Sequence, residues 1–371
     1  MIIMYSFSNN IYMLGLEMIK QLTMLPKPEQ LETRAVLKQL VTAHRYLAEL
    51  KGVASTIPNP EILISTLSLQ EAKDSSEIEN IFTTQDELFQ ADISSDSSRN
   101  AAAKEVRRYA AALRSGFEKM RGDQLITVNR IVEFHQTLMG SDAGLRKLPG
   151  TIIKNLTTGE TVFTPPQDPS EIQSLLTDLE RFMNDDTVCA VDPLIAMAIA
   201  HHQFESIHPF YDGNGRAGRI LNSLYLVARG LLDQPVLYLS GYIIDTKADY
   251  YSLLQSTRET NNWEPWLLYL IRGVEETSKL TIGLIEAIRN LMNSYEERIK
   301  KDLPKIYSHE LLNNLFRHPY TKIEAVQDDL GVSRLTASKY LSALTEKGFV
   351  EKHRSGKYNY YVNRPLIRIF E

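Results

Sequence analysis

A short polar segment holds the residue types that phosphate chemistry requires. It runs from His208 to Arg219 and reads His-Pro-Phe-Tyr-Asp-Gly-Asn-Gly-Arg-Ala-Gly-Arg. Gly213 and Gly215 carry no Cβ, so their backbone N–H groups can approach a ligand closely. Arg216 and Arg219 are three residues apart and therefore share one face of a helix. If a helix begins within the segment, its N-terminus and these arginines form an anion site suited to phosphate.

Two further side chains supply what phosphoryl or nucleotidyl transfer needs besides an anion site. His208 can exchange a proton near neutral pH, which makes it the candidate general base. Asp212 offers hard carboxylate oxygens, which suit a Mg²⁺ ion that bridges phosphates. The alternative is a connecting loop with scattered charges. We favour a transfer site because all the required residue types occur together in a usable order.

Apolar residues on both sides of the segment predict two buried helices that hold it. The stretch from Val191 to Ile207 is apolar almost all round, which is typical of a buried helix. Asp192 is the expected N-cap of that helix, with Pro193 in its first turn. Downstream, apolar residues recur at helical spacing from Ile220 to Val227. A loop held between two buried helices is fixed in space, as a catalytic loop must be.

The segment also resembles the signature of the Fic family, H-x-F-x-[D/E]-G-N-G-R-x-x-R, and matches it at every fixed position. Fic proteins mostly transfer AMP from ATP to a hydroxyl side chain of a target protein. The resemblance implies that His208 is the general base and that Asp212 is the Mg²⁺ ligand. It further implies a phosphate cradle and phosphate contacts formed by Gly213, Asn214, Gly215, Arg216 and Arg219.

The composition is that of an ordinary globular protein with room for two or three domains. The 371 residues are 43% hydrophobic and 23% charged, and the net charge of −5 gives no global indication of nucleic-acid binding. No stretch reaches the apolar length of a membrane span. The first residues lack the features of a signal peptide, and we expect a mobile or packed extension there. The single cysteine, Cys189, cannot form an internal disulfide, which favours a reducing, cytoplasmic location.

Helical periodicity dominates the chain and predicts a mainly α fold. The expected helices outside the site are Glu29–Lys51, Glu61–Ala72, Asn100–Met120 with Asn100 as its cap, Thr127–Leu138, one that Ser170 opens, one that begins near Tyr250, and Glu275–Lys301. Together with the resemblance, this pattern predicts an N-terminal helical region at 1–120, a Fic-type core at 121–272, a connecting helix at 273–303 and a separate domain at 304–371.

A segment after the second predicted helix has two interpretations. Ser76 and Glu79 have the spacing of a capping box at a helix N-terminus, which the residues alone favour. The resemblance favours another, since Ser75-x-x-x-Glu79-Asn80 is similar to the inhibitory motif [S/T]-x-x-x-E-[G/N] of the Fic family. There the glutamate pairs with the second arginine of the signature, here Arg219. That pairing would occupy the arginine that should hold the γ-phosphate. The N-terminal helices could support a homodimer that controls this pairing.

The range Gly150–Pro166 predicts a β-hairpin in a helical chain. Strands at Thr151–Lys154 and Glu160–Thr164 flank a turn that contains Gly159. One interpretation is a connector that packs on the core. The other is an exposed edge that accepts a target segment by strand addition. The resemblance favours the second interpretation, because Fic proteins carry a target-binding flap before the active site. Its candidate residues here are Ile152 and Ile153.

Two tyrosines are candidates for contact with the nucleotide base. The resemblance places Tyr250 and Tyr251 near the adenine, although aromatic residues in such a stretch are more often core. Some relatives have a nucleotide-binding asparagine seven residues later, where this chain has Arg258. We do not expect His201 and His202 to form a metal site, because adjacent helical residues diverge by about 100° and no Cys or acidic ligand completes a zinc pattern.

The C-terminal range 304–371 has a different character. It contains 11 Lys and Arg and 7 Asp and Glu, a net charge of +4 against −9 for the rest of the chain. Its pattern predicts helices at Thr321–Leu330 and Arg334–Lys347, then strands at Val350–Arg354 and Tyr358–Val362. This is typical of a winged helix-turn-helix. The residues expected to face duplex DNA are Arg334, Thr336, Ser338, Lys339, Arg354 and Lys357. A protein-interaction or dimerisation module on the same scaffold is the alternative.

Two functions from different classes follow. The first is an enzyme that uses ATP and Mg²⁺ to place AMP on a Ser, Thr or Tyr hydroxyl of a target protein and of itself, with Glu79 as inhibitor. The second is a transcriptional regulator whose Fic-like core senses a nucleotide. A different phosphate-bearing donor, or removal of AMP with the help of Glu79, are variants of the first.

Overall fold

The chain folds mainly into helices, with small antiparallel sheets. A computed structural model describes residues 31–84, 87–88, 101–154, 158–355 and 358–370. The N-terminal extension, the expected cap Asn100 and the expected wing residue Lys357 lie outside these ranges. Among the described residues, no helix combines the length and apolar composition that a membrane crossing requires.

The helices and strands are numbered here in chain order. The helices are α1 Arg34–Ala54, α2 Pro60–Ile78, α3 Ala101–Met120, α4 Val128–Met139, α5 Pro169–Asn184, α6 Pro193–Ile207, α7 Asn214–Ala228, α8 Leu239–Asp245, α9 Lys247–Thr260, α10 Glu264–Asp302, α11 His309–Arg317, α12 Ile323–Leu330, α13 Arg334–Glu346 and α14 Arg364–Ile367. The strands are β1 Ile153–Lys154, β2 Thr161–Phe163, β3 Tyr320–Thr321, β4 Glu351–Ser355 and β5 Tyr358–Val362.

Most predicted elements occur close to their expected bounds, and two of them differ in a way that has a physical cause. Helix α10 begins at Glu264 rather than Glu275, because a helical apolar pattern continues through the tryptophan region. Thr321 lies in strand β3 rather than in helix α12, where it pairs with β5. Helix α11 and strand β3 were not predicted at all.

The chain divides into two compact units whose boundaries fall within helices α1, α3 and α10. The first unit contains the described residues up to Ala48 together with 111–278. Its core is helix α6, which is buried on every side from Leu194 to Ile207 and packs against α5 and α7. Asp192 caps this helix by accepting a hydrogen bond from Leu194 N at 2.8 Å, as predicted.

Helices α6 and α7 approach closely at Gly218. A Cβ at this position would lie 2.6 Å from Glu205 Oε1 and 3.2 Å from His201 Cε1. Only glycine fits this contact without displacement of a side chain. The absence of a side chain at Gly218 allows α7 to pack closely against α6, and these two helices flank the polar loop.

The second unit contains residues 49–110 and 279–371 as far as they are described. Strands β3, β5 and β4 form an antiparallel sheet in that order. A buried cluster joins this sheet to helix α2 and contains Leu69, Tyr320, Tyr360, Val362 and Ile367. Helix α12 ends at Gly331, which has φ 64°, and Ser333 caps α13 by accepting from Thr336 N. The predicted turn between these helices is therefore confirmed.

The capping-box interpretation of Ser76 and Glu79 is wrong. Helix α2 continues through Ser76 to Ile78, so these residues lie at a helix C-terminus. Asn80 has φ 62°, Ile81 N donates to Ser76 O at 3.0 Å, and Asn80 N donates to Glu77 O at 2.9 Å. This is a Schellman motif with asparagine in the left-handed position. Both helix ends use small polar residues, so the spacing alone did not distinguish them.

An ion pair within the first unit joins helix α1 to the start of helix α6. His44 Nε2 lies 2.8 Å from Asp192 Oδ2, and this hydrogen bond raises the pKa of His44. A raised folded-state pKa means that the pair contributes fully below the unfolded-state value, about 6.5, and is lost as pH rises through the higher folded-state value.

We therefore expect His44→Gln to lower the free energy of unfolding more at about pH 5.5 than at about pH 8.5. Urea unfolding of both proteins at the two pH values measures this difference. Asp192→Asn, which keeps an N-cap oxygen but removes the charge, should reduce the same pH dependence. An equal loss at both pH values for His44→Gln would show that the pair carries no proton-linked stability.

Candidate active site

His208 stands at the junction of helix α6 and the polar loop. It is the C-cap of α6, and its backbone adopts a left-handed conformation with φ 48° and ψ 59°. Its N–H donates to Phe204 O at 2.9 Å. A non-glycine residue in this region costs about 1 kcal/mol or more and persists only where neighbouring groups hold it.

Arg146 is the group that holds this backbone. It is 1% exposed. Its backbone N–H donates to Pro209 O at 2.9 Å, and its Nε donates to His208 O at 2.8 Å. One terminal guanidinium nitrogen donates to Ile207 O at 3.3 Å and also to Pro166 O. The buried guanidinium therefore binds the carbonyls of Ile207 and His208 and that of Pro166, at the end of the hairpin segment, and the backbone N–H of the same residue binds Pro209.

Asn214 closes the loop. Its side-chain Oδ1 accepts from Phe210 N at 2.9 Å, and its Nδ2 donates to Phe210 O at 2.9 Å. The side chain is 2% exposed and lies within the loop. The contribution of Asn214 to a phosphate cradle would therefore come from its backbone N–H. Ala217 N donates to Gly213 O at 2.9 Å, which starts helix α7 directly behind the loop.

His135, on helix α4, packs against the loop. Its ring stacks on Phe210 with centroids 3.5 Å apart and planes 4° apart. Its Nε2 lies 2.8 Å from Asp212 O and must donate, because a carbonyl only accepts. Burial, with a further contribution from the positive charge of Arg216, lowers the pKa of His135. The imidazole is therefore neutral at ordinary pH and serves as a fixed donor.

Asp212 is exposed at the mouth of the loop. Its Oδ1 accepts from Gly213 N at 2.6 Å, which orients the carboxylate against the helix end. Next to it, the Tyr211 hydroxyl accepts from Lys147 N at 2.9 Å and Leu148 N at 3.0 Å, and these donors lower the pKa of Tyr211. Hydrogen bonds at Tyr211 and Gly213 thus hold the loop on either side of Asp212, whose carboxylate stays accessible.

Helix α7 begins where a bound anion would need it. Asn214, Gly215 and Arg216 occupy its first three positions, so their N–H groups point along the axis toward the loop. Arg216 and Arg219 are 3% and 2% exposed. Two buried guanidinium groups one turn apart, beside the positive end of a helix, make a strongly anion-attracting environment.

The donor set fits Mg²⁺ bound jointly with phosphates. Within the described part of the chain, no three His, Cys, Asp or Glu side chains converge on one point. Mg²⁺ commonly takes one or two carboxylates and completes its shell with water and substrate phosphates. The single accessible carboxylate of Asp212, beside a phosphate-type helix N-terminus, is consistent with that arrangement.

The structure separates the two tyrosines that the sequence grouped together. Tyr250 is 1% exposed, and its hydroxyl lies 2.8 Å from His201 Nε2. His201 Nδ1 accepts from Asn222 Nδ2 at 3.1 Å, and burial lowers the pKa of His201 to about 3. Tyr250 therefore belongs to a buried network of aromatic and polar groups. Tyr251 is 44% exposed and is the more accessible of the two toward a ligand.

The hairpin has the expected strands in shorter form. Ile153 pairs with Phe163, and Lys154 pairs with Thr161, with an irregularity between the two pairs. Ile152 precedes strand β1 and is 43% exposed, whereas Ile153 is partly buried. These residues belong to the first unit with the loop. Ser75 and Glu79 belong to the second, where Ser75 is buried in the last turn of α2 and Glu79 is its exposed C-cap.

Sequence reasoning missed Arg146, His135 and Tyr211 as parts of the site. Arg146 precedes His208 by 62 positions in a stretch without helical or strand periodicity. His135 sits on the buried face of an ordinary amphipathic helix, where a histidine is usually structural. Only Tyr211 had a signal, since it lies inside the polar segment itself.

Family models match consecutive parts of this chain. Residues 37–118 match the Fic/DOC family N-terminal model, 125–226 match the Fic/DOC family model, and 291–366 match the C-terminal domain of protein adenylyltransferase SoFic-like. Together these matches cover more than two thirds of the chain. The chain belongs to the Fic family.

Curated relatives share the central part of the chain. Protein adenylyltransferase fic-1 of Caenorhabditis elegans is 26% identical over 179 residues, which is 47% of this chain and 32% of the relative. Protein adenylyltransferase Fic of Drosophila erecta is 27% identical over 155 residues, 42% of this chain and 29% of the relative. The chain spans about a third of the length of these relatives.

Solved structures show the same fold at low identity. A Fic family protein from Desulfovibrio desulfuricans G20 has a TM-score of 0.56 at 20% identity, with 89% of this chain and 96% of that chain covered. A segment of Fic-1 from C. elegans has a TM-score of 0.51 at 22% identity, with 66% of this chain and 71% of that chain covered. These likenesses concern the fold alone.

We expect Gly213→Ala to destabilise the protein more than Gly230→Ala. Both glycines have similar positive φ, 75° and 69°, so each alanine costs about 1–2 kcal/mol of strain. A Cβ at Gly213 also lies 2.7 Å from Met139 Sδ and 3.4 Å from His135 Nε2, whereas none of these contacts exists at Gly230. Overpacking adds about 1–3 kcal/mol. Urea unfolding measures both losses, and equal losses would show that the loop tolerates the added methyl.

Proposed function

We propose that this protein transfers AMP from Mg·ATP to the hydroxyl of a Ser, Thr or Tyr side chain in a target protein, and also in itself. The observation that carries the proposal is the placement of His208 beside the N-terminus of α7 with Arg216 and Arg219 buried in its first turns. Membership of the Fic family and the names of the curated relatives support the same activity.

The chemical step follows from the groups at the loop. His208 accepts the proton of the target hydroxyl while that oxygen forms a bond to the α-phosphorus of ATP. The bond from the α-phosphorus to its bridging oxygen breaks, and pyrophosphate leaves. The products are an AMP ester of the side chain, pyrophosphate and a protonated His208. A positioned general base contributes about 10²–10⁴-fold to such a step.

The helix end and the arginines would stabilise the charge on the phosphates. The N–H groups of Asn214, Gly215 and Arg216 point at the anion, and the guanidinium groups of Arg216 and Arg219 add charge. Removal of one such preorganised donor costs about 10²–10³-fold in other enzymes. Gly213 and Gly215 carry no Cβ, so phosphates could approach their backbone N–H groups closely.

Asp212 would hold Mg²⁺ together with the phosphates. When bound, the ion supplies charge neutralisation across the phosphate oxygens. The hydrogen bond from Gly213 N fixes the carboxylate, and the bond from His135 fixes the carbonyl of the same residue. Both contacts orient Asp212 before any ligand arrives.

The hairpin would hold the acceptor chain. Among the described strands, β1 pairs with β2 and with no further strand, so one edge of this ribbon offers backbone groups for strand addition. Ile152 is exposed next to that ribbon, and Ile153 lies in it. An acceptor segment added there would present its hydroxyl by backbone register. The sequence of the acceptor would then matter less than its ability to extend.

Glu79 would inhibit the reaction by pairing with Arg219. At the Glu79 end, the Schellman motif satisfies the last carbonyls of α2 with backbone N–H groups and leaves Glu79 as an exposed C-cap. Occupation of Arg219 by a carboxylate would deny it to the γ-phosphate and misalign the α-phosphorus. Small misplacements of reacting atoms cost about 10²-fold in rate.

We expect Glu79→Gly to raise incorporation of label from α-labelled ATP into the protein by about 10²-fold, because the arginine becomes available to the phosphates. Adding His208→Ala to that variant should lower its labelling by about 10²–10⁴-fold, because the general base is lost. The labelling of the single and the double variant is measured by self-labelling of the full chain with Mg²⁺ and the same ATP concentration. The matched control is Glu77→Ala, which removes a neighbouring carboxylate from the same helix end.

The outcomes separate transfer from inhibition. Labelling that rises in Glu79→Gly and survives His208→Ala would contradict the role of His208. Equal labelling of wild type and Glu79→Gly would keep the transferase and remove the inhibitory role. A donor other than ATP would leave all variants unlabelled. Release of AMP from a modified protein by wild type but not by Glu79→Gly would assign the reverse reaction to Glu79.

The second unit suggests an additional function. We propose that 304–371 is a winged helix-turn-helix, with α13 as the helix that faces duplex DNA and the β4–β5 hairpin as the wing. The support is the order of α11, β3, α12, α13, β4 and β5, the close packing of α12 on α13, and the positive charge of this range. Lys339 and Arg354 are exposed on these elements, whereas Arg334 is exposed and pairs with Glu324 at 2.6 Å.

If this range binds duplex DNA, Lys339→Glu with Arg354→Glu should weaken binding and lower the slope of log affinity against log salt by about 1 for each lost phosphate contact. Lys301→Glu is the control, because it reverses an exposed charge outside the range. Fluorescence anisotropy with a labelled random duplex at several salt concentrations measures the slope. Equal binding by all three proteins would favour a protein-interaction module, including a homodimer contact.

A further inference from the structure

Helix α9 makes two contacts with strand β2 of the hairpin. Gln255 Nε2 donates to Val162 O at 3.2 Å. Arg258 lies over the ring of Phe163, with its Cζ 4.3 Å from the ring centroid. A cation this close to an aromatic face contributes about 0.5–2 kcal/mol, more when it is desolvated.

The same guanidinium also contacts the helix that ends at His208. Arg258 Nε donates to Ser206 Oγ at 2.9 Å, and Ser206 Oγ in turn donates to His202 O at 2.8 Å. Arg258 Nη1 donates to Gln255 Oε1 at 3.3 Å. Ser206 is in the last turn of α6, two residues before His208. One side chain therefore joins the hairpin to the end of α6.

Among the described residues, Gln167 supports the hairpin at its base. Gln167 Oε1 accepts from Gly150 N at 2.6 Å, and its Nε2 donates to Thr151 O and Pro165 O at 3.0 and 2.5 Å. These bonds close the ends of the hairpin but do not contact β2 itself. A two-stranded ribbon is marginally stable by itself. The position of β2 consequently depends on helix α9.

We propose that Arg258 is a positioning residue that sets the distance between strand β2 and the C-terminal turn of helix α6. This role rests on the proposed function in one respect, since the hairpin then holds the acceptor and Arg258 aligns it with His208. Burial lowers the pKa of Arg258 to about 10, so the side chain stays charged at neutral pH. The planar fork allows stacking and hydrogen bonding at once, which lysine cannot reproduce.

Hydrogen exchange tests the positioning role without any assay of transfer. We expect Arg258→Lys and Phe163→Leu each to raise exchange in peptides that cover 158–166 by about tenfold, with the double variant no faster than either single variant. The matched control is Arg229→Ala. Arg229 also lies over an aromatic ring, with its Cζ 5.9 Å from the Tyr225 ring centroid, but it pairs with Asp186 rather than with a residue of the hairpin. It should exchange like wild type in these peptides.

Three results would overturn the role. Exchange unchanged in Arg258→Lys would show that the contact does not hold β2. Equal acceleration in Arg229→Ala would show a general loss of stability. Effects that add in the double variant would show that Arg258 and Phe163 do not act through each other.

Kinetics test what the position of β2 does for the reaction. The assay uses Glu79→Gly as enzyme and the His208→Ala chain as acceptor, with α-labelled ATP. Adding Arg258→Lys to the enzyme should raise KM for the acceptor about tenfold and leave KM for ATP within about twofold. A change in KM for ATP alone would assign Arg258 to the nucleotide and overturn the proposal. If no enzyme labels the acceptor, the proposed function fails, and the exchange result alone decides the role of Arg258.

Discussion

The position of His208 depends on the hydrogen bonds that Arg146 makes to the backbone carbonyls at the end of helix α6. A helix C-terminus leaves its last carbonyls without partners and carries partial negative charge. Here Ile207 and His208 both direct carbonyls at one buried guanidinium, and Pro209 accepts from the backbone of the same residue. The fork of arginine matches this spread of acceptors, whereas the point charge of lysine does not. The strained backbone of His208 is a consequence of that fit.

The loop joins two helix ends of opposite polarity, and the protein treats them differently. The negative end of α6 is satisfied inside the fold by Arg146. At the positive end of α7, Gly213 N donates to the exposed carboxylate of Asp212. Asn214 and His135 hold the loop between the two ends through backbone contacts. A buried cation of the chain thus binds carbonyls at the negative helix end, whereas the positive helix end lies beside the accessible carboxylate of Asp212. Arg216 and Arg219 strengthen that asymmetry.

Local features of the fold and site could be predicted from the sequence, and long-range ones could not. The cap at Asp192, the buried helix after it and the polar loop follow from neighbouring residues, and all occur in the structure. Arg146 has no local signal, because its partners lie 20 to 63 positions away and are backbone carbonyls, which any residue type offers. The tyrosines show a similar limit. The family resemblance makes both Tyr250 and Tyr251 candidates, but only packing shows that the first is buried against His201.

The role open to the Glu79 carboxylate depends on which end of a helix Glu79 occupies. In a capping box, Glu79 would fold back onto a helix N-terminus and its carboxylate would be consumed locally. At a Schellman end, the backbone N–H groups of Asn80 and Ile81 satisfy the helix carbonyls. Asn80 is required for its backbone conformation, since φ 62° is open mainly to glycine and asparagine. The two final positions of the motif therefore differ in structure, because Asn80 adopts the left-handed conformation that ends the helix and Glu79 is the exposed C-cap.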